Sequence, residues 1–196
     1  MQVPDKLIDE HAVFIEPLSA ACGILERASI NKTDHVAVIG DGKLGLLCAQ
    51  VVALTGANLL LIGKHSSKLR IAERRGIETS TAKQAAKRTR TFDVVVEASG
   101  AAPGFELALN LLRPKGRLVL KSTFNETTEI DAARIVVDEI SIVGSRCGRF
   151  KPAVDLLAKA AIDVDSLISE EYPLAQGVHA MVRAGTRGIL KVLLRP

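Results

Sequence analysis

The sequence predicts an α/β fold: a Rossmann-type doubly wound parallel sheet of about six strands with helices on both faces. Three observations predict it. Short, wholly aliphatic runs alternate with helical stretches through most of the 196 residues, the pattern of parallel βαβ units, not hairpins. The apolar share is 47% with only 3% aromatics and no Trp, so the core is built from Val, Ile, Leu and Ala, as in a sheet covered on both sides. A glycine-rich turn separates the first aliphatic run from the strongest helical one.

The elements follow in order. Residues 8–29 read as helical, with Leu18, Ala21, Cys22 and Leu25 on one face and Pro17 suited to a first turn. Val36 to Ile39 is the first strand and Leu44 to Leu54 the next helix, ended by Gly56. Leu59 to Ile62 is the second strand, followed by a helix capped by Ser66 or Ser67 and running to Arg75. Ile77 to Thr79 is a brief third strand and Asp93 to Glu97 a fourth. A helix over Phe105 to Leu112 is stopped by Pro114 and Gly116, before a fifth strand at Leu118 to Leu120. A helical turn at Ala132 to Val136 precedes a sixth strand, Glu139 to Val143. Helices over Lys151 to Ala161 and Leu174 to Arg183, then a strand over Gly188 to Leu194, complete the chain.

Charge and composition narrow the function. The net charge is +4 and the pI about 9.1, but one Tyr and five Phe are too few for a base-stacking surface, so no nucleic-acid partner is expected. The basic run from Lys83 to Arg90 reads as a solvated helix face and loop. Cys22, Cys48 and Cys147 lack metal-ligand spacing and suit reduced thiols, with Cys48 buried on a helix face. No apolar run spans a bilayer and no secretory signal opens the chain. The expectation is a cytoplasmic protein without a membrane partner. His11, His35 and His179 form no catalytic or metal arrangement, and His35 reads as structural.

The chemistry lies in Gly40-Asp41-Gly42-Lys43-Leu44-Gly45, a GxGxxG match that directly follows a strand and opens a helix. Gly40 makes the turn, Gly42 lets the backbone approach a pyrophosphate, and Gly45 packs helix on strand. The N–H groups at Lys43 and Leu44 begin the helix and favour the phosphate charge. The expected ligand is a nicotinamide dinucleotide. NAD-specific sites place an acid after the second strand to hold the ribose 2′-hydroxyl, yet no acid occurs between Asp41 and Glu73. That favours NADP over NAD, with Gly63 making room for the 2′-phosphate and Lys64 and His65 contacting it. A basic loop that takes either cofactor is the competing reading. A methyltransferase reading is weaker, because those sites also want the missing acid.

These stretches, with Glu16-Pro17-Leu18, Asp93 to Gly100, Leu111 to Val119, Ile142 to Arg146 and Leu190 to Leu194, resemble the cofactor domain of the medium-chain zinc-dependent alcohol dehydrogenases over nearly the whole chain. The resemblance implies hydride transfer between nicotinamide and an alcohol or carbonyl. It places Ser99 and Gly100 beside the adenosine, Lys121 and Ser122 near the nicotinamide, and Lys191 near the phosphates; the competing readings are a strand-end cation reaching to water for Lys121 and a plain surface lysine for Lys191. Lys121 departs from the small apolar residue common there. Arg146 is a cofactor contact or a surface ion pair. Glu16 matches the Glu-Pro of polyol-type relatives, where the carboxylate sits at or near the catalytic zinc. That makes it a metal-site residue only in a full-length enzyme.

The family's GroES-like catalytic domain, which brings the zinc ligands, has no counterpart in this sequence. The chain reads as a portion of such an enzyme, without a catalytic residue of its own and inactive alone. Residues 1–30 form a helical lead-in, 31–172 the Rossmann domain, and 173–196 a C-terminal helix and strand facing the catalytic domain. The resemblance also implies a homodimer. The competing reading is a non-catalytic dinucleotide sensor or interaction domain, to which Glu16-Pro17 and the strand carrying Lys191 would be superfluous.

Overall fold

The computed structural model describes residues 3–123 and 128–196. Its centre is a six-stranded, wholly parallel sheet in the order β3-β2-β1-β4-β5-β6. The strands are β1 (His35–Ile39), β2 (Asn58–Gly63), β3 (Glu78–Thr81), β4 (Phe92–Glu97), β5 (Leu112–Leu120) and β6 (Ser141–Gly144). The order reverses between β1 and β4, the crevice where open sheets of this topology hold ligands.

Strand alternation divides the core in two. Val36, Val38, Leu61, Val94 and Val96 point to one face, under α2 (Ile15–Arg27), α3 (Lys43–Ala53), α4 (Ser66–Glu73) and α8 (Phe150–Ala158). Ala37, Ile39, Leu60, Ile62 and Val95 point to the other, under α5 (Ala82–Ala85), α6 (Ala102–Leu111) and α7 (Ala132–Val137). Cys48 of α3 is fully buried in the first layer.

The expected 8–29 helix is two: α1 (Asp9–Ala12) and α2, broken at Val13 and Phe14, whose ring is fully buried. Pro17 falls in the first turn of α2, where its missing N–H costs no intrahelical bond. β5 begins at Leu112, well before the expected Leu118. Leu112 pairs with Phe92, and a register shift then absorbs Arg113 to Gly116 before Arg117 pairs with Val94. Pro114 cannot donate to a ladder, so sequence reading takes this stretch for a break.

A second, two-stranded parallel sheet joins β7 (Glu170–Pro173) to β8 (Val192–Arg195), with α9 (Gly177–Ala184) between them in sequence. The final strand is therefore shorter than Gly188 to Leu194 and lies outside the main sheet. β7 has no aliphatic run and escapes sequence reading. Ion pairs surround it: Arg183 with Glu170, and Arg195 with both Glu171 and Glu10.

Candidate cofactor-binding site

The glycine loop leaves β1 at the point of strand reversal. Gly40 has φ +124°, and its N–H donates to the Ile62 carbonyl at 2.8 Å. A Cβ there would lie 2.4 Å from the Ala98 oxygen. Gly45 presses against the start of the loop, where an added Cβ would come 1.9 Å from the Gly40 oxygen. Gly42 is different: nothing lies within 4 Å of its virtual Cβ, so the space above it is open. Gly42 is also the N-cap of α3, and no side chain caps that helix. The N–H groups of its first turn, beginning at Lys43 and Leu44, therefore have no intrahelical acceptor and carry the positive end of the helix dipole. An open glycine under an uncapped helix N-terminus fits a pyrophosphate.

A cleft of about 340 Å³ extends from this loop to the end of β2. Gly40, Asp41 and Gly42 form one wall, Gly63, Lys64 and His65 another, and Ala98 and Ser99 close the side toward β4. Lys68 of α4 and Arg187, from the segment after α9, also line it. Neither was singled out in the sequence. Lys68 lies within the stretch read as basic, whereas nothing local marks Arg187.

The acid-free turn expected after β2 takes a carboxylate from elsewhere. Asp41 reaches across so that its Oδ2 accepts the N–H groups of Lys64 at 2.7 Å and His65 at 2.6 Å. The His65 Nδ1 lies 3.0 Å from the same oxygen. Burial pushes the Asp41 carboxyl up, but the bonds from the His65 backbone and ring and the Lys64 backbone outweigh it, holding the group below its ordinary value. Gly63 makes room for this carboxylate: a Cβ on Gly63 would lie 2.7 Å from both Cβ and Oδ2 of Asp41.

At the other end of the crevice, Ser122 Oγ accepts the Gly100 N–H at 2.8 Å. The Ser99 N–H and hydroxyl both donate to Oε1 of Glu97, at 2.8 and 2.5 Å. Glu97 is fully buried at the end of β4, and its Oε2 has no partner among the described residues. Sequence reading placed Glu97 on its strand without a role.

Lys121 does not extend to water. It is buried, and its ammonium donates to the carbonyls of Ala20 at 2.7 Å and Arg146 at 3.1 Å and to Ser145 Oγ at 3.3 Å. With its three donors engaged, it ties α2 to the loop after β6; the nicotinamide contact implied by the resemblance is not offered by the ammonium. Arg146 enters this tether through its backbone carbonyl. Lys191 is half-buried, with its ammonium 5.2 Å from the centroid of the Phe14 ring. Burial, then the nearby Lys43 ammonium, push its pKa down, and Glu16 partly offsets them. Lys43, the first residue of α3, is thus near enough for its charge to be felt at Lys191.

Glu16 is exposed. Among the described residues, no group of three or more His, Cys, Asp or Glu could hold a metal ion, so the residues here do not make a zinc site. No described helix is long and apolar enough to cross a membrane.

A family model described as zinc-binding dehydrogenase matches residues 44–159, more than half of the chain. The chain belongs to the zinc-binding dehydrogenase family. A sorbitol dehydrogenase of Halalkalibacterium halodurans is 29% identical over 99% of this chain and 61% of its own length. The D-arabitol-phosphate dehydrogenase of Enterococcus avium is 28% identical over 98% of this chain and 59% of its own. A solved zinc-binding dehydrogenase structure from Sinorhizobium meliloti, bound to NADP, superposes with a TM-score of 0.91 at 27% identity, over 100% of this chain and 62% of that one. The chain therefore spans about three fifths of the length of these relatives. The family match begins at Leu44, so the loop from Gly40 to Lys43 precedes it.

Proposed function

We propose that this chain is the nicotinamide-dinucleotide-binding portion of a zinc-type alcohol or polyol dehydrogenase. The observation that carries the reading is the uncapped N-terminus of α3 above the open Gly42, in the crevice where the strand order reverses. When bound, the nicotinamide gives or takes the hydride exchanged with an alcohol or carbonyl carbon. The chain's own part is to hold and orient it. Gly40, Gly42, Lys43, Leu44 and Gly45 take the pyrophosphate, with Lys191 adding charge. Gly63, Lys64 and His65 form the 2′ end, Ser99 and Gly100 the adenosine side, and Ser122 the far end of the crevice. Lys121 positions α2 and the loop after β6.

NADP(H) is the form that the cleft's cations support: Lys64, Lys68 and Arg187 stand against Asp41, the one carboxylate among the described residues that line it. The Sinorhizobium meliloti relative bound to NADP supports the same reading. The division into a lead-in of residues 1–30, a Rossmann domain of 31–172 and a C-terminal unit of 173–196 belongs to this proposal. So do a cytoplasmic location and a homodimer. Glu16 joins a metal site only where further ligands are supplied.

Three measurements test the reading. Calorimetric titration should show the chain binding NADPH and NADH, and no binding of either would overturn it. A steady-state assay with zinc, NADP⁺ and a panel of alcohols should give no turnover by this chain alone. Robust turnover would sink the binding-portion reading. Light scattering should give a dimer, and a monomer across micromolar concentrations would count against that part.

A further inference from the structure

Among the described residues, Asp41 is the one acidic side chain lining the cleft. It belongs to the glycine loop, yet its carboxylate is seated 23 and 24 residues further along the chain, on the N–H groups of Lys64 and His65. Its side chain is about 10% exposed. The volume it fills is the one that a side chain at position 63 would enter, because a Cβ on Gly63 would collide with both its Cβ and Oδ2. Sites of this fold that hold a ribose diol do so with an acid carried by the end of the second strand. Here that strand ends in Gly63, and the preceding loop delivers the acid to the same place.

The consequence is electrostatic. Two backbone N–H groups and an imidazole nitrogen form an anion seat, and an internal carboxylate occupies it. A 2′-phosphate would need donors of this kind and would meet a negative charge already among them. A 2′-hydroxyl can instead donate to the carboxylate. Lys64, Lys68 and Arg187 pull in the opposite sense.

Building on the dinucleotide reading above, we infer that Asp41 is the specificity-determining residue of the site: its carboxylate accepts the ribose 2′-hydroxyl and opposes the 2′-phosphate. The balance between NADH and NADPH is then set by Asp41 against the surrounding cations.

The test is the ratio of the two dissociation constants, measured on the full chain by fluorescence titration with NADH and NADPH, alongside a thermal melt. Asp41→Asn removes the charge and keeps an oxygen for the backbone donors. It should shift the ratio toward NADPH by about tenfold or more, the scale of one opposed charge in a partly buried site. A second variant guards against loop collapse. Asp41→Gly combined with Gly63→Asp also removes the Asp41 Cβ that a side chain at 63 would strike, leaving only the flexible Leu69 Cδ2 to give way; it moves the acid onto the strand end and should return the ratio toward that of the natural chain. An unmoved ratio in Asp41→Asn, a shift toward NADH, or equal weakening of both nucleotides would overturn the role of Asp41 while leaving the dinucleotide reading standing. Failure of the natural chain to bind either nucleotide would instead overturn that reading.

Discussion

Asp41 and Gly63 share one volume: the carboxylate of the first occupies the space into which a side chain on the second would project. The two positions are therefore coupled. Gly63→Ala should force Asp41 off the Lys64 and His65 amides and cost about 1–3 kcal/mol, the range for an overpacked buried position. Gly63→Ala in an Asp41→Gly background should cost less, because both Asp41 atoms close to the new methyl are then gone and only Leu69 Cδ2, at 2.8 Å, must give way. Denaturant unfolding of the four proteins in this cycle checks the coupling, and additive losses would contradict it.

The glycines of the loop should separate into two kinds. Gly45→Ala places a methyl against the Gly40 oxygen and should destabilise the fold by about 2–4 kcal/mol. Gly42→Val has free space and an ordinary extended backbone at φ −75°. Its stability should change by no more than about 0.5 kcal/mol. The valine would nevertheless stand over the amides of α3, and nucleotide affinity should fall at least about a hundredfold. Paired melts and titrations distinguish the two effects.

Cations at the 2′ end should act on one nucleotide more than the other. Lys64→Ala and Arg187→Ala should each weaken NADPH by about three- to tenfold with a smaller effect on NADH, and should reduce the salt sensitivity of NADPH binding. Calorimetry at two ionic strengths reads both. Equal losses for the two nucleotides would remove these residues from the 2′ end.

Acid should loosen the cleft through Asp41. Its folded carboxyl lies below the ordinary 3.8, so the unfolded chain takes up the proton first as pH falls. The stability it contributes is fully present above 3.8 and is lost as pH drops through the lowered folded value. Asp93 has the same sign: its burial pushes it up, and the His35 N–H and Arg113 prevail in lowering it. Asp41→Asn should therefore flatten, without abolishing, the fall in melting temperature in this acid window. A curve parallel to that of the natural chain would contradict the assignment.

Local pattern accounts for what the sequence reveals and for what it hides. β1, β2 and β4 are legible because Val-Ala-Val-Ile, Leu-Leu-Leu-Ile and Val-Val-Val are buried on both faces and leave no alternation to misread. The glycine loop is legible because its spacing serves backbone contacts that only glycine permits. β7 is hidden because Glu170-Glu171-Tyr172-Pro173 becomes a strand through pairing and charge, both supplied from outside the segment. The reach of Asp41 to Lys64 and Arg187's place in the cleft are hidden for a related reason. Each depends on how distant segments meet, and neither leaves a local periodicity. The engaged ammonium of Lys121 also needs acceptors from two other elements, Ala20 of α2 and the loop at Ser145 and Arg146.

The walls of the cleft come from residues as remote along the chain as Gly40 and Arg187. A molecule seated there would act as a staple between the strand ends and the segment that follows α9. At a hundred times its dissociation constant it would add about 2.7 kcal/mol to the unfolding free energy. Part of that gain would be felt as slower amide hydrogen exchange around Arg187, nearly 150 residues from the glycine loop by chain and adjoining the same cavity in space.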